Sequence, residues 1–180
     1  MRQDSGGARS NRHNHPGASH VGPDQAVTVG PNQPVRVMEA YTPPDQPAFA
    51  DLVNSVHAEF GFSYDPELDA DLENPTAYYQ HLWLLRLDRA VVGSVALTPA
   101  KNRVATLKRM YVLPEHRGRG LGRQLLSLAI ATADRDGCRQ VMLDTSDRQC
   151  NAIRLYEGAG FRLHHTSGTT RYYTLNITQR

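Results

Sequence analysis

The chain reads as an α/β (α+β mixed) domain, a central mixed sheet flanked by helices. Short apolar runs of strand character alternate along it with amphipathic segments of helical period. Mid-chain, two apolar runs, 82–87 and 91–97, are separated only by Asp88-Arg89-Ala90, the mark of a hairpin. A third apolar run, 105–112, reaches Pro114 and passes through a loop rich in Arg and Gly straight into an amphipathic segment.

Val35 to Ala40 is the first expected strand, followed by the breakers Pro43, Pro44 and Pro47. Phe49, Leu52, Val53, Val56 and Phe60 recur at helical spacing, and Gly61 ends that helix. A short helix is expected around 67–73, stopped near Pro75. The hairpin 82–97 and the strand 105–112 come next. Leu121, Leu125, Leu128, Ala129 and Thr132 mark the face of a helix ending near Gly137. Val141 to Thr145 is a short buried strand. Ser146 or Asp147 caps a helix through Glu157. The runs 161–165 and 171–177 close the fold as a hairpin around Ser167-Gly168. The expected order is β-α-α-β-β-β-α-β-α-β-β, without internal repeats. Parallel pairing is required only where a helix crosses over.

Composition bounds the class. The chain has 180 residues, which suggests one domain. Residues 1–34 hold five Gly and four Pro but no Leu, Ile, Phe, Tyr or Trp. Such a stretch buries too little apolar surface to offset its ordering entropy, so it is expected to be a disordered tail. An over-long start or an expression leader is the alternative; there is no apolar core of a secretory signal. His13, His15 and His20 lie in this tail and read as solvated rather than metal-ligating. Residues 35–180 form the expected domain, enough for one sizeable core.

No run approaches a membrane span, so no membrane partner is expected. Cys138 and Cys150 make no disulfide framework, which fits a reduced, cytoplasmic setting. A net charge of +2 gives no case for nucleic acid as a partner. Among the 20 basic residues only Lys101 and Lys108 are lysine, so single arginines carry little weight on their own.

Residues 107–122, from Leu107 to Gly122, carry the clearest chemistry. A strand, a loop containing Arg117, Gly118, Arg119 and Gly120, and the helix start at Leu121 and Gly122 together form an anion site. Unpaired amides point out of a helix's first turn, glycine admits a ligand close to the backbone, and arginine adds charge-assisted bonds. Phosphate or pyrophosphate is the expected ligand. No Gly-Lys-Ser/Thr closes a nucleotide P-loop, and the flanking apolar elements are unlike an RNA-binding Arg-Gly repeat.

A second signature lies about 35 residues downstream, Ala152-Ile153-Arg154-Leu155-Tyr156 through Gly160-Phe161. Both signatures, in this order and with one helix and one strand between them, resemble the GCN5-related N-acetyltransferase (GNAT) superfamily. Its pyrophosphate loop runs Arg or Gln, two residues, Gly, one residue, Gly or Ala, matched here by Arg117, Gly120 and Gly122. The resemblance covers roughly 35–176. It implies acetyl-CoA, or another acyl-CoA, as donor and no metal. It also implies a V-shaped opening between the strand ending near Val112 and the one ending near Thr145. The pantetheine arm would pair there with the backbone of Met110, Tyr111 and Val112, and the diphosphate would sit on 117–122, with Arg123 as a weaker addition. The resemblance further admits a homodimer through the C-terminal strands, although Tyr172, Tyr173 and Leu175 read equally as hairpin core.

Acetyl transfer to an amine needs donors for a developing oxyanion, a proton for the leaving thiolate, and a base for the amine. The resemblance assigns the first to a backbone N–H near Met110 or Tyr111. It assigns the second to Tyr156, a phenol protonated at neutral pH. The third departs from the family pattern: the strand 105–112 has no Glu or Asp. Asp144, Glu39, Glu59, Asp69, Asp71 and His57 remain as bases acting through water. A second departure places Gln149 where the family often has Asn; Gln149 keeps an amide for the cofactor arm, and Asn151 is out of that register. A covalent route through Cys138 or Cys150 is disfavoured, leaving direct transfer in a ternary complex.

The acceptor is the least legible part. Asp65, Glu67, Asp69, Asp71 and Glu73 place five acids in nine residues, either an exposed acidic helix or a mouth that draws in a cationic amine. Tyr78, Tyr79, His81 and Trp83 are pocket lining or core. The expected activity is acetyl transfer to a primary amine of a small molecule, such as an amino acid or amine-like metabolite. Protein or peptide acetylation, or a non-catalytic acyl-CoA sensor, are the alternatives.

Overall fold

The computed structural model describes residues 35–177. The expected tail and its histidines lie outside them. The elements are β1 (Arg36–Ala40), α1 (Gln46–Glu59), α2 (Pro75–Tyr78), β2 (His81–Leu87), β3 (Ala90–Leu97), β4 (Val104–Val112), α3 (Leu121–Arg135), β5 (Gln140–Ser146), α4 (Cys150–Gly158), β6 (Arg162–Ser167) and β7 (Thr170–Asn176). Their order is the expected one except at the second helix, where α2 lies C-terminal to the helix expected at 67–73. Among the described residues seven strands form a single sheet, β1-β2-β3-β4-β5-β7-β6. Only β4 and β5, joined across α3, pair in parallel; every other neighbour pair is antiparallel.

The sheet is covered on both faces, which is why β2 reads as a continuous apolar run. Leu82 and Leu84 point to the α1 side with Phe49, Val53 and Leu72. Leu85 and Leu87 point to the opposite side, where Leu121, Leu125, Leu126 and Ala129 of α3 pack with Val141, Leu143 and Phe161. On α3, Leu126 takes the fully buried place expected of Leu128, because the apolar stripe is wider than one residue per turn.

The β2–β3 turn is tight, and Asp88 and Arg89 both adopt positive φ, 48° and 77°. That is the twist a two-residue hairpin demands. Ala90, expected in the turn, is the first residue of β3.

Two helix boundaries differ from expectation. The 67–73 helix is a single 3₁₀ turn at Ala70–Leu72. Asp65 Oδ1 accepts the amide of Glu67 at 2.8 Å, and Asp69 Oδ2 accepts the amide of Asp65 at 3.0 Å. These side chains offer the backbone an alternative to helix. Pro75 opens α2 rather than stopping a helix, since the first helical position needs no N–H. At α4 the cap falls on Gln149, not on Ser146 or Asp147, because Ser146 still belongs to β5 and Asp147 to the turn that follows it.

A bulge in β4 positions the site. Ser94 of β3 faces Tyr111 and Ala96 faces Lys108, so β4 carries one extra residue between the two pairs. Arg109 absorbs it at φ +47°. The fully buried Ser94 donates its hydroxyl to the Arg109 carbonyl at 2.6 Å. Pairing of β4 with β5 runs only from Val104–Gln140 to Thr106–Met142. Beyond that the two strands part, opening the expected V-shaped cleft.

Candidate active site

The divergence of β4 and β5 leaves a cavity of about 770 Å³, lined by Met110 and Tyr111 from β4, Thr145 from β5 and Tyr156 from α4. The 117–122 loop follows β4 in the chain; neither it nor Val112 is among the residues that line the cavity. Gly120 caps α3 at φ +77°, a left-handed conformation that favours glycine. The first backbone bond of α3 is Gln124 N–H to the Gly120 carbonyl at 3.1 Å. The amides of Leu121, Gly122 and Arg123 precede it and have no intrahelical acceptor. Gly122 packs tightly: a Cβ there would lie 3.2 Å from Leu155 Cδ2. These amides, at the positive end of the helix dipole, suit a phosphate or diphosphate.

The side chain of Arg117 is spent on structure. Its Nε donates to the Val112 carbonyl at 2.8 Å, and Nη1 and Nη2 donate to Glu59 at 2.6 and 2.7 Å. The bonds from Arg117, helped by its charge and against the opposing effect of burial, hold the Glu59 carboxyl below its ordinary range. The guanidinium expected to donate to an anion is thus engaged within the protein. Gln149 lines the cavity, with its Oε1 accepting from Thr145 Oγ1 at 2.7 Å and from the Ser146 amide at 3.3 Å.

Tyr156 is 5% exposed, its ring edge-to-face with Phe161, and it lines the cavity. Burial, with smaller contributions from Tyr111 and Asp144, pushes its phenol well above the ordinary value. The phenol therefore stays protonated across the physiological range, as a proton donor must.

Where residues 65–71 line the cavity, Arg109 gathers the acidic segment. Its side chain, 9% exposed, donates from Nε to Asp71 Oδ2 at 2.8 Å and from Nη2 to Asp69 Oδ1 at 2.9 Å, with a further bond from Nη2 to Asp71 Oδ1. Tyr79 donates to Asp71 at 2.6 Å. Burial raises the Asp69 carboxyl, but the Asp65 amide and Arg109 outweigh it and hold the group below its usual value. Asp69 and Asp71 are thus buried and paired, whereas Asp65 and Glu67 are exposed on the cavity wall. Tyr78 and Tyr79 line the same cavity; His81 and Trp83 instead stack on each other and face a separate small recess.

The six candidate bases separate sharply. Glu39 pairs with Arg86, Glu59 with Arg117, Asp144 with Lys108, and Asp69 and Asp71 with Arg109. His57 alone carries no ion pair, and it lines the cavity with Nε2 3.0 Å from the Tyr111 hydroxyl. The sequence offered His57 as one of these six candidates but gave no sign of its contact with Tyr111, 54 residues away. Neither Cys138 nor Cys150 lines the cavity, and burial pushes the Cys138 thiol up, away from nucleophilic thiolate.

Comparison with known proteins agrees with this architecture. The model of the acetyltransferase (GNAT) family matches residues 48–161. The chain is 31% identical over 143 residues to the uncharacterized N-acetyltransferase YjgM of Escherichia coli, spanning 74% of this chain and 84% of that one. It is 32% identical over 122 residues to N-acetyltransferase family 8 member 2 of Rattus norvegicus, spanning 63% of this chain and 51%, about half, of that relative. A Staphylococcus aureus GNAT acetyltransferase superposes with a TM-score of 0.73 at 23% identity, over 80% of this chain and 100% of that one. The PaiA N-acetyltransferase of Thermoplasma acidophilum, solved in complex with coenzyme A, superposes with a TM-score of 0.67 at 15% identity, over 79% and 99%. The chain belongs to the GNAT family and is an N-acetyltransferase. Among the described residues no helix is long and apolar enough to cross a membrane.

Proposed function

We propose that the protein moves an acetyl group from acetyl-CoA to a primary amine of a small cationic metabolite, an amino acid or amine-like compound, by direct transfer in a ternary complex. The observation that carries the reading is the charge of the cavity wall. Asp65, Glu67, Asp69, Asp71 and Asp144 face Lys108 and Arg109 there, five carboxylates against two cations. Such a wall attracts a cation. A cavity of about 770 Å³ suits small ligands together with a thioester arm.

The residues fit coenzyme A at the donor end. The unpaired amides of Leu121, Gly122 and Arg123 would take the diphosphate, and the unpaired edge of β4 at Met110 to Val112 would take the pantetheine arm. Bound there, acetyl-CoA supplies the activated acyl carbon. The chain's own part is to aim that carbon at the acceptor, to present backbone N–H near Met110 or Tyr111 to the developing oxyanion, and to offer the Tyr156 proton to the departing sulfur.

Thiol release from acetyl-CoA, followed with free amino acids, linear diamines and a lysine-containing peptide, tests the reading. Turnover with the small amines supports it. Turnover confined to the peptide assigns the protein to polypeptide acetylation. Tight binding of coenzyme A by calorimetry with no turnover on any amine makes it a sensor.

A further inference from the structure

We infer that His57, acting through the Tyr111 hydroxyl, is the proton acceptor for the amine, in place of a carboxylate on β4. The inference rests on acetyl transfer as the activity and names the group that makes the acceptor nucleophilic.

Three observations meet at this pair. His57 comes from α1 and Tyr111 from β4; the rings meet edge to face, centroids 5.6 Å apart, with Nε2 and the hydroxyl at 3.0 Å. Both line the cleft that Tyr156 also lines. Arg109 Nη1 approaches the same Nε2 at 3.4 Å. A guanidinium only donates, so Nε2 is the bare nitrogen, the ring proton sits on Nδ1, and the Tyr111 hydroxyl points its hydrogen at Nε2. Arg109 also donates to the phenol oxygen, which leaves that oxygen one lone pair for a further donor.

The surroundings keep the imidazole ready. Burial, then the Arg109 charge, lower its pKa below the ordinary 6.5, against the opposing pull of Asp69 and Asp71; Phe62 covers another edge. The ring is accordingly neutral at pH 7 and has a lone pair to use. Burial raises the Tyr111 phenol, so it relays a proton without resting as a phenolate.

The step balances. The acceptor ammonium gives a proton to the Tyr111 oxygen as the Tyr111 hydrogen passes to His57 Nε2, leaving an amine and an imidazolium. The amine nitrogen bonds to the thioester carbon, the C–S bond breaks, and the sulfur takes the Tyr156 proton. The surplus proton on the new amide nitrogen restores Tyr156. His57 returns its proton to water, the one proton the overall reaction releases.

The test joins a pH–rate profile to nitrogen NMR on the intact wild-type chain. Wild-type kcat/KM for a turned-over amine is expected to fall on an acid limb with its midpoint below 6.5. His57→Gln is expected to lose that limb and about 100-fold in kcat, with the KM for acetyl-CoA within twofold. Tyr111→Phe is expected to lose a similar factor, and the double variant little more, because the two groups act as one unit. His57→Gln within threefold of wild type, or with the limb intact, overturns the inference. Wild-type NMR gives an answer even where a variant fails to fold: the Nδ1–H tautomer is expected, and an Nε2–H tautomer overturns the relay. A wild type that transfers to no amine instead removes the proposed function, and this inference with it.

Discussion

Arg117, at the head of the anion loop, forks onto Glu59 near the end of α1, its two terminal nitrogens 2.6 and 2.7 Å from the two carboxylate oxygens. The loop that would hold the donor is thereby tied to the helix that carries His57 toward the acceptor. The pair is about one-third exposed, 31% and 33%, so its stabilisation is modest, about 0.2–1 kcal/mol. Glu59→Gln is expected to weaken coenzyme A binding about two- to fivefold by calorimetry. Arg117→Ala should match it or exceed it slightly, through the lost bond to the Val112 carbonyl. Raising the salt concentration should narrow the gap between wild type and both variants.

Gly120 offers a sharper probe of the donor end. Any side chain at φ +77° strains the backbone by about 1–2 kcal/mol, and a carboxylate there faces the place an anion would occupy. Gly120→Asp is expected to raise the dissociation constant for coenzyme A at least tenfold in calorimetry. Gly120→Asn, which tolerates this conformation and carries no charge, should recover much of the affinity. Equal affinities for wild type and Gly120→Asp would move the diphosphate away from the α3 terminus.

The strand–loop–helix arrangement at 107–122 was legible in the sequence because it is local in the chain. A strand, two glycines and a helix start must lie next to one another in the chain to expose the amides of Leu121 to Arg123. The ion-pair cluster around Arg109 was not legible, because it is assembled across the fold. Asp71 and Arg109 are 38 residues apart, and they meet only because the β4 bulge holds Arg109 at positive φ. Nothing in the run 105–112 announces that bulge; its partner is the buried hydroxyl of Ser94 on the neighbouring strand. His57 stood among six candidates in the sequence, and nothing there ranked it first, because its contact with Tyr111 spans 54 residues. The acidic run 65–73, read from composition as either a helix or a mouth, divides between the two ideas: Asp69 and Asp71 are buried partners of Arg109, and Asp65 and Glu67 are wall.

Tyr156 is expected to matter for turnover rather than binding. Its phenol is raised by burial, so it remains a proton donor through neutral and mildly alkaline pH and contributes no basic limb there. Tyr156→Phe should lower kcat about 100-fold while coenzyme A affinity stays within twofold. An acetyl thioester of a more acidic thiol needs less help from a donor, so it should narrow the deficit. A Tyr156→Phe variant equally slow with both thioesters would assign the ring to packing against Phe161 rather than to protonation.

Removing the Arg109 charge should produce the largest loss of stability of any single change at the site. Arg109→Met leaves Asp69 and Asp71, 6% and 7% exposed, without their cation. Breaking a buried pair from one side costs about 3–5 kcal/mol. The pH dependence follows from Asp69. Its folded pKa lies below the ordinary 3.8, so its contribution is present above 3.8 and is lost as pH falls through the lower folded value. In Arg109→Met burial still opposes ionisation while the guanidinium no longer favours it, so the carboxyl climbs and the acid transition shifts to higher pH. Thermal melts between about pH 3 and 7 should show Arg109→Met losing stability earlier on acidification than wild type. Adding Asp69→Asn and Asp71→Asn should restore much of the melting temperature, since the buried charges that demanded the cation are then gone. Wild-type-like acid behaviour in Arg109→Met would mean that Asp69 is held low by the Asp65 amide alone, and that Arg109 serves the bulge rather than the acids.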